Sequence, residues 1–440
     1  MKKTIVPMLV CLVAVASAQW VETTIPLDTS GGVGALAISY GAGANKVYVS
    51  MFRDVPPPIE PVAVAVVDGG SNALLKTLRL GIDPIVASAG DKMCGSFGDS
   101  LAVIDGILDS VTAFVPVGLW GLGYDYSPVF NKVYIASPYV DSVVVVDAVA
   151  DTLLGVVPLS LPADGLCHDT VGSKIYCVTR SAVIVLDASV DTILTQIPVG
   201  TCELSGLVCL NVSRNKLYCE GSTGLVVIDC ERDTVVGHVP LADATWEMCY
   251  NPLDDKLYLA GPDSAAVTVV DCARDSVVAL VPTRYEQDDL CYNSINNKLY
   301  CASWRGGNVT VIDCGTDSVV STLPVGLHAG PMVYNPYENR IYVIASYFAL
   351  AVIRDVMPGV QEVSVTDERC PILCPSIVRG ALLLRVVRAS AHCSLLTADG
   401  RRVADLVPGP NDVRHLSPGV YFVREAQAQA QLVRKVVLTK

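Results

Sequence analysis

Carboxylates, aromatic rings and a histidine lie between apolar runs from residue 164 of this 440-residue sequence onward. An aromatic ring beside carboxylates can bind a cation through the ring face, or a sugar or peptide through stacking and hydrogen bonds. We therefore predict a binding site for one of these ligands, and a solvated charged rim is the alternative interpretation. The candidate binding residues are Asp164, Trp246, Glu247, Glu286, Asp288, Asp289, Trp304, Arg305 and His328.

No catalytic, cofactor-binding or metal-binding residue is predicted. The sequence contains no glycine-rich phosphate loop, no nucleophile elbow and no C-x-x-C pair, and the last of these argues against a zinc or iron–sulfur site. The five histidines leave few candidates for acid–base chemistry. His168 stands in a repeated position that is filled by tyrosine in five other units, so we interpret it as a structural substitution.

Cysteine is unusually frequent, with 16 residues, and most of them fall at repeated positions. Pairs ten residues apart could face each other across a tight hairpin and form disulfides. Small apolar side chains packed in a sheet are the alternative, and the interpretation that we favour. The spaced pairs are Cys167/Cys177, Cys209/Cys219 and Cys291/Cys301, and Cys370/Cys374 is a further candidate disulfide.

Two markers recur along most of the chain with nearly the same step. The first is a basic residue in a signature that reads [N/D/S]-[K/R]-[V/L/I/M]-[Y/C], and the second is an aspartate that closes a valine-rich run. A period of 40–45 residues built from short strands is typical of a propeller or a solenoid. The basic markers are Lys46, Lys92, Lys132, Lys174, Lys216, Lys256, Lys298 and Arg340, and the aspartates are Asp68, Asp105, Asp147, Asp187, Asp229, Asp271 and Asp313.

Each unit contains four apolar runs of about five to seven residues, rich in β-branched side chains and too short for ordinary helices. Face-to-face packing of four-stranded sheets around an axis buries the sheet faces, so the predicted fold is an all-β propeller. We count eight blades, with seven as the alternative. The last unit lacks a fourth strand, and residues 20–28 resemble that strand class, so we expect the N-terminal strand to close the ring. The recurring aspartates, and Asp275 with them, are interpreted as turn builders.

Residues 19–357 resemble the YVTN family of β-propellers. Its repeats carry a lysine-x-tyrosine strand, a V-x-V-I-D strand and an I-P-V-G end, and this sequence has 298–300, 309–313 and 323–326 at the corresponding places. The resemblance implies a propeller fold, and it implies little about activity because propellers host many unrelated functions.

The first 18 residues have the layout of a secretory signal peptide. Lys2 and Lys3 precede an apolar run, and Ala16-Ser17-Ala18 supplies small residues before a cleavage point. No later run is long enough for a membrane helix, so we expect an exported protein without a membrane span. The formal net charge of −13 argues against a nucleic-acid partner, because phosphates repel an acidic surface.

The C-terminal residues differ from the repeats. Residues 358–375 read as a linker, and residues 376–440 carry ten Lys or Arg against four Asp or Glu. Residues 376–440 resemble the C-terminal sorting domain of the type IX secretion system, a small β-sandwich. The resemblance implies recognition by that secretion machinery. The matching residues are Gly400, Arg401, Gly419, Tyr421, Arg434 and Lys435, with Thr397 in place of the family's aspartate.

These observations predict a secreted or cell-surface propeller that acts as a binding or scaffold module. Its ligand would be a protein, a peptide or a glycan held on one propeller face. The alternative is a propeller enzyme, similar to a lactonase, a lyase or a quinoprotein, with its site at the channel mouth. Enzymes of this kind gather histidines, carboxylates or a metal around the axis, and here only His328 and His168 are available with the carboxylates.

Overall fold

A computed structural model describes most of residues 19–355 and parts of 372–439, and all described elements are β-strands and turns. The predicted signal peptide and most of the predicted linker lie outside the described residues. Among the described residues, no helix is long and apolar enough to cross a membrane. The gaps before 355 are 28–32, 54–59, 83–84, 88–89, 120, 122, 201–205, 222 and 262–263, and the described C-terminal parts are 372–373, 377–379, 381–386, 393–397, 401–407, 409–413, 416, 419–425 and 433–439.

Thirty-two strands build eight four-stranded antiparallel sheets, which are the blades of a β-propeller. Seven blades consist of consecutive strands. Blades 1 to 4 are β2 (Val33–Gly41), β3 (Lys46–Arg53), β4 (Glu60–Asp68), β5 (Leu74–Leu78); β6 (Ile85–Ala87), β7 (Lys92–Phe97), β8 (Ser100–Asp105), β9 (Ser110–Pro116); β10 (Gly123–Ser127), β11 (Lys132–Ser137), β12 (Val140–Asp147), β13 (Thr152–Pro158); and β14 (Ala163–Asp169), β15 (Lys174–Thr179), β16 (Ala182–Asp187), β17 (Thr192–Pro198).

Blades 5 to 7 continue the same order, and blade 8 takes its fourth strand from the start of the chain. Their strands are β18 (Val208–Asn211), β19 (Lys216–Gly221), β20 (Gly224–Asp229), β21 (Thr234–Pro240); β22 (Glu247–Asn251), β23 (Lys256–Ala260), β24 (Ala266–Asp271), β25 (Ser276–Pro282); β26 (Asp289–Asn293), β27 (Lys298–Ser303), β28 (Asn308–Asp313), β29 (Ser318–Pro324); and β30 (Met332–Asn335), β31 (Arg340–Ala345), β32 (Ala349–Asp355) with β1 (Gln19–Pro26).

The ring is closed, as the sequence predicts. The first strands of successive blades neighbour one another around the axis, and β2 of blade 1 neighbours β30 of blade 8. The strand β1 pairs antiparallel with β32, from Gln19 opposite Asp355 to Pro26 opposite Ala349. The preference for eight blades is confirmed, and the seven-blade alternative is wrong because the short strands β6–β9 do form a sheet.

The core lies between neighbouring blades, where the valine-rich strands pack face to face. The tyrosine of each lysine-x-tyrosine marker is fully buried, for example Tyr176 and Tyr218. Tyr176 belongs to the apolar cluster between blades 4 and 5, with Val185 and Leu217. Because residues of a strand alternate between its two faces, each second strand contributes to two such clusters. The sequence therefore repeats because each of the eight blades packs against its neighbours in nearly the same way.

A lysine, a tyrosine and an aspartate join neighbouring blades at several seams of the ring. Lys174 of blade 4 lies 2.7 Å from Asp233 in the turn between the third and fourth strands of blade 5, and the Tyr176 hydroxyl donates to the same carboxylate at 2.9 Å. Asp233 has a φ of 52°, a left-handed conformation that aspartate tolerates. The equivalent ion pairs are Lys46–Asp109, Lys92–Asp151, Lys132–Asp191, Lys216–Asp275 and Lys256–Asp317. Blade 8 has no such turn, and there Lys298 pairs with Asp355 at the end of the third strand.

The two aspartates of each turn therefore have different roles. Asp271 accepts hydrogen bonds from the backbone N–H groups of Ala273 and Arg274, so the interpretation of the marker aspartates as turn builders agrees with the structure. Asp275 instead binds Lys216 of the preceding blade. The prediction that Asp275 serves its own turn is wrong, because its left-handed backbone directs the carboxylate toward the neighbouring sheet.

The seam between blades 8 and 1 has a different set of residues. Asn72 replaces the turn aspartate in blade 1, and it accepts a hydrogen bond from the Tyr342 hydroxyl at 2.6 Å. Arg340 replaces the lysine and donates to the carbonyls of Gly69 and Gly70. The charge of Arg340 is balanced by Glu22 of β1, whose carboxylate accepts two hydrogen bonds from the guanidinium at 2.6 and 2.8 Å. We call Glu22 and Arg340 the closure pair.

Every outermost strand of the ring carries a β-bulge against the third strand. The register shifts at Leu154 of blade 3 and at Leu194 of blade 4, and the corresponding residue of β1 is Glu22. A bulge bends an edge strand away from straight pairing and so hinders edge-to-edge association with other sheets. In blade 8 the same position supplies the carboxylate of the closure pair.

The hairpin disulfides do not form. Cys167 is opposite Tyr176 in the sheet, whereas Cys177 is opposite Leu166, and the other two pairs have the same offset. An offset of one residue places the two thiols of each pair on opposite sheet faces. None of the eleven cysteines whose thiols the structure describes is in a disulfide, which agrees with the apolar packing role, while Cys370 and Cys374 lie outside the described residues.

Eight short strands in the C-terminal region form a three-stranded and a five-stranded sheet. Thr397 closes the hairpin between two of them, because its hydroxyl accepts the Arg401 N–H and its N–H donates to the Arg401 carbonyl. Gly419 and Tyr421 lie on one strand, Arg434 and Lys435 on its neighbour, and Gly400 is outside the described residues. The strands are β33 (Ile372–Leu373), β34 (Ile377–Arg379), β35 (Ala381–Val386), β36 (Cys393–Thr397), β37 (Arg402–Leu406), β38 (Gly409–Asp412), β39 (Gly419–Glu425) and β40 (Val433–Thr439).

Candidate functional site

Because consecutive strands of each blade are antiparallel, the connections between them lie alternately on two opposite faces of the ring. Turns between the first and second strands and between the third and fourth strands share one face, which we call the turn face. Loops between the second and third strands, and those leading into the next blade, share the other, which we call the loop face. All nine candidate binding residues belong to connections or strand ends of the loop face.

Three aromatic rings pack together on the loop face of blades 7 and 8. Trp304 follows β27, His328 leads into β30, and Tyr347 lies between β31 and β32. The Trp304 and His328 ring centroids are 4.8 Å apart, those of Trp304 and Tyr347 are 4.9 Å apart, and those of His328 and Tyr347 are 5.0 Å apart. Such close rings leave no space between them, so the cluster offers a ligand its outer faces as a platform. We call these three residues the ring cluster.

The backbone under the ring cluster is strained. His328, Ser346 and Tyr347 have φ angles of 57°, 56° and 61°, a region that residues other than glycine, asparagine, aspartate and histidine seldom occupy. Each such residue costs about 1–3 kcal/mol and persists where the surrounding structure holds it in place, commonly at binding sites. Here the Ser346 N–H donates to the Leu327 carbonyl at 2.6 Å, and the Tyr347 carbonyl accepts from Ala35 of blade 1 at 2.7 Å.

Two carboxylates of the loop that leads into β26, Glu286 and Asp288, contact the loop that carries Trp304. Asp288 accepts a hydrogen bond from the backbone N–H of Trp304 at 2.6 Å, which fixes the start of its loop. Glu286 lies 3.3 Å from the Arg305 guanidinium, whose side chain is 78% exposed. Burial raises the pKa of Asp288, and the nearby Glu286 charge adds to the shift. The platform is therefore bordered by one engaged carboxylate, one exposed guanidinium and the acid that pairs with it.

Two further carboxyls lie deeper, at the first residues of neighbouring first strands. Glu247 begins β22 and Asp289 begins β26. Burial raises the pKa of Glu247 to about 7. Burial, followed by the Glu247 charge, raises the pKa of Asp289 well above its ordinary value, although its carboxylate accepts the Met332 N–H of blade 8 at 2.7 Å. Near neutral pH the carboxyls of Glu247 and Asp289 can therefore hold a proton.

The structure brings together six of the nine candidates on blades 7 and 8, and Glu247 is close enough to influence Asp289 electrostatically. Trp246 is 50% exposed and lies on blade 6, outside the ring cluster. Asp164 lies on blade 4, across the ring from blade 8. It is therefore outside this site. The six are Glu286, Asp288, Asp289, Trp304, Arg305 and His328.

The sequence prediction missed Tyr347 and the neighbouring Phe348, which is 51% exposed. Both lie in the loop between the second and third strands of blade 8, and Trp304 lies in the same kind of loop in blade 7. This shared kind of loop could have identified both residues as candidates from the sequence. His168 is buried, and its Nε2 lies 3.0 Å from the Ser127 hydroxyl of blade 3. Burial lowers the pKa of His168. These contacts agree with its interpretation as a structural substitution.

No group of three or more His, Cys, Asp or Glu residues in the described part of the chain is arranged to hold a metal ion. A separate cavity of about 260 Å³ lies on blade 6, where Leu241, Leu259 and Leu280 contribute to its lining. It is mostly apolar and does not include the ring cluster.

No protein-family model matches this chain, and no curated protein matches it. Among solved structures, the chain is similar to hydrazine synthase of Kuenenia stuttgartiensis, with 17% sequence identity and a TM-score of 0.49. The match covers 62% of this chain and 95% of that chain. At this identity the similarity concerns the fold alone.

Proposed function

We propose that this protein is a binding or scaffold propeller whose ligand docks on the ring cluster of the loop face. The ligand is a peptide or a glycan, presented by a protein or free. It contacts the platform with a flat apolar face and reaches the carboxylates at its border with hydroxyl or cationic groups. Catalysis is not needed to explain any group in this site.

The ring cluster is the observation that carries this proposal. Three rings from two blades meet within 5.0 Å of one another on a backbone with three positive φ angles outside glycine. The three rings are half-buried, and the blades are already held by their cores, so this strained arrangement is not needed for packing alone. Aromatic residues bordered by polar groups are the usual composition of a recognition surface.

The binding proposal is tested by tryptophan fluorescence of the full chain against a panel of neutral oligosaccharides and lysine- or arginine-containing peptides. At least one class of probe should bind, and Trp304→Ala should weaken that binding about fivefold to thirtyfold, because a stacked ring contributes about 1–2 kcal/mol. Tyr139→Ala is the matched control, since Tyr139 is 79% exposed on a loop of the same class in blade 3.

Two results would overturn the proposal. The first is a wild-type chain that binds no member of the panel. The second is binding that survives in the Trp304 variant and is lost in the Tyr139 variant, which would move the site to the opposite side of the loop face.

We also propose that the chain is exported, on the resemblances of residues 1–18 to a signal peptide and of 376–440 to a type IX sorting domain. The propeller would then be a YVTN-type repeat displayed outside the cell or released from it. A chain that lacks 376–440 should accumulate in the periplasm, while one that lacks 1–18 should remain in the cytoplasm. Export of the first variant at the wild-type rate would contradict the sorting role.

The enzyme alternative has one observation in its favour, the two proton-holding carboxyls Glu247 and Asp289. A carboxyl with a pKa near 7 suits general acid–base catalysis at neutral pH. Hydrolysis of a simple lactone by the wild type, lost in Glu247→Gln and retained in Trp304→Ala, would favour the enzyme. Stoichiometric Ca²⁺, Mn²⁺ or Zn²⁺ in the purified protein would favour it as well.

A further inference from the structure

The cavity of about 260 Å³ on blade 6 lies between the sheet of that blade and the connection that enters it from blade 5. Residues 240–245 of the connection form one wall, and Leu259, Thr268 and Leu280 of the sheet contribute to the other. An engineered protein cavity of about 150 Å³ holds a benzene molecule. The blade 6 cavity therefore has room for one ring, or a short branched chain, together with a small polar group.

The connection from blade 6 to blade 7 serves as an internal reference for this cavity. Both connections are held by the same two backbone hydrogen bonds, one at each end, so the cavity does not result from a longer or looser connection. The hydrogen bonds run from Leu241 to Thr223 and from Trp246 to Ala260 at the cavity, and from Thr283 to Ala265 and from Asp288 to Ala302 at the next seam.

The size of one side chain in the connection differs between the two seams. Gln287, in the connection to blade 7, is 1% exposed, and its amide donates a hydrogen bond to the Tyr285 carbonyl at 2.6 Å. The equivalent residue in the connection to blade 6 is Thr245, which is 4% exposed and lines the cavity. The shorter threonine leaves space under the connection where the glutamine is packed in the next seam.

The third strands of the two blades show the same difference. Asn308 begins β28, and its amide donates to the Gly306 carbonyl at 3.0 Å, whereas Ala266 begins β24 and lines the cavity. Two residues further along, Thr310 is 1% exposed in blade 7, while Thr268 is half-buried and lines the cavity in blade 6. The shorter residues of blade 6 therefore leave part of its sheet surface uncovered.

The cavity is apolar inside and negatively charged at its mouth. Leu259 is 3% exposed and supplies carbon surface, whereas Asp243 is exposed. Among the described residues that line the cavity, Asp243 carries the one charge, and no lysine or arginine is present to neutralise it. An apolar pocket with one placed charge selects a ligand that has a compact apolar body and an end of opposite sign.

We propose that this cavity binds a small organic amine, with the apolar body inside and the ammonium group beside Asp243. The net charge of −13 favours the approach of a cation and disfavours an anion of the same shape. A sugar fits less well, because its hydroxyls would lose their hydrogen bonds to water against leucine side chains. The site is separate from the ring cluster of blades 7 and 8, so the two can be tested independently.

Saturation-transfer NMR of the full chain with benzylamine, from about 0.05 to 20 mM, tests the proposal. Benzylamine carries an ammonium group on a single ring, and benzoate is the matched anion. The wild type should bind benzylamine, and it should bind benzoate at least about threefold more weakly. Asp243→Asn should weaken benzylamine binding about two- to fivefold, the strength of one exposed charge pair. Asp141→Asn, which removes an exposed carboxylate at the loop-face end of β12, should not.

A second arm fills the cavity with the residues of blade 7. The double variant Thr245→Gln with Ala266→Asn should weaken benzylamine binding at least about tenfold, because its longer side chains occupy the space of the ring. Thr245→Gln alone should weaken it in the same direction, and thermal unfolding verifies that both variants are folded. Trp304→Ala should bind benzylamine as the wild type does.

Four results would overturn the proposal. They are a wild type that does not bind benzylamine, benzoate binding as strong as benzylamine binding, undiminished binding in the folded Thr245 variants, and loss of benzylamine binding in the Trp304 variant. The last of these would move the amine to the ring cluster. A chain that binds benzylamine in the cavity but no probe at the ring cluster would leave this site intact while removing the proposed function.

Discussion

Replacing Glu22 by glutamine should weaken the closure of the ring while the other seams stay intact. The Arg340 side chain is 7% exposed and that of Glu22 is 27% exposed, so the variant removes the carboxylate that binds a buried guanidinium and leaves Glu338, 3.9 Å away, as its remaining negative neighbour. Breaking such a pair costs about 3–5 kcal/mol. Water can reach the Glu22 side of the pair and Arg340 keeps its two carbonyl contacts, so we expect the lower end, about 3 kcal/mol.

Amide hydrogen exchange reports this loss at the strand concerned. The amides of β1 that pair with β32 should exchange roughly 100-fold faster in the Glu22 variant, because exchange follows the free energy of local opening. Arg232→Gln is the control, since Arg232 also forms an ion pair with an aspartate, at 2.8 Å, but is 71% exposed. An exposed pair contributes about 0–1 kcal/mol, so this control should change exchange by less than about fivefold.

Two outcomes would refute the reasoning. If the β1 amides of the Glu22 variant exchange within about threefold of the wild type, the closure pair does not stabilise the seam. If amides of all blades accelerate equally, the ring opens as one unit and no separate closure step exists.

Three further predictions concern pH, the inter-blade ion pairs and the thiols. Between about pH 4.5 and 7 the folded state keeps the proton of Glu247 that the unfolded chain has lost. The free energy of unfolding should therefore fall by about 3 kcal/mol as the pH rises through that window. Glu247→Gln should remove most of this slope in melting temperatures measured from about pH 4.5 to 8. Asp233→Asn should lower the melting temperature, because Lys174 and Tyr176 lose a shared carboxylate worth about 1–3 kcal/mol, whereas the exposed Asp243→Asn should not. Thiol titration of the denatured, unreduced protein should find free thiols for the repeated cysteines, and a small number would contradict the register of the sheets.

The architecture could be predicted because its signals are local and repeated. Lys174 and Asp187 recur with the same spacing in most blades, and each unit contains its own turns. The closing strand was predictable for the same reason, since residues 20–28 resemble other fourth strands and blade 8 lacks one. A short pattern that would be weak evidence in one unit becomes strong evidence for the fold when it recurs at a fixed spacing.

Contacts between blades could not be read from the spacing. The partner of Asp275 is Lys216, 59 residues away, and nothing inside the turn shows that its backbone directs the carboxylate outward. The cysteine pairs failed for a related reason. A hairpin with a spacing of ten allows Cys167 to face either Cys177 or its neighbour Tyr176, and one residue of register decides between the two sheet faces.

The candidate site was predicted in part. Trp304 and His328 were selected because their loops share one face, and the structure shows their rings in contact. Tyr347 was missed because it lies in the unit where the repeat pattern breaks. Asp164 lies on the loop face, but in blade 4. The class of loop shows on which face of the ring a residue lies, and it does not show how far apart two blades are around the axis.

The pairing of β1 with β32 has a consequence for how the protein is made. Gln19 leaves the ribosome before Asp355, its hydrogen-bond partner, by 336 residues. Until that last segment emerges, the nascent chain carries an unpaired leading strand, although blades 1 to 7 are built from consecutive strands. Contacts of such high sequence separation form late and slowly. The pairing of β1 with β32 is therefore the step of propeller assembly that waits longest during synthesis.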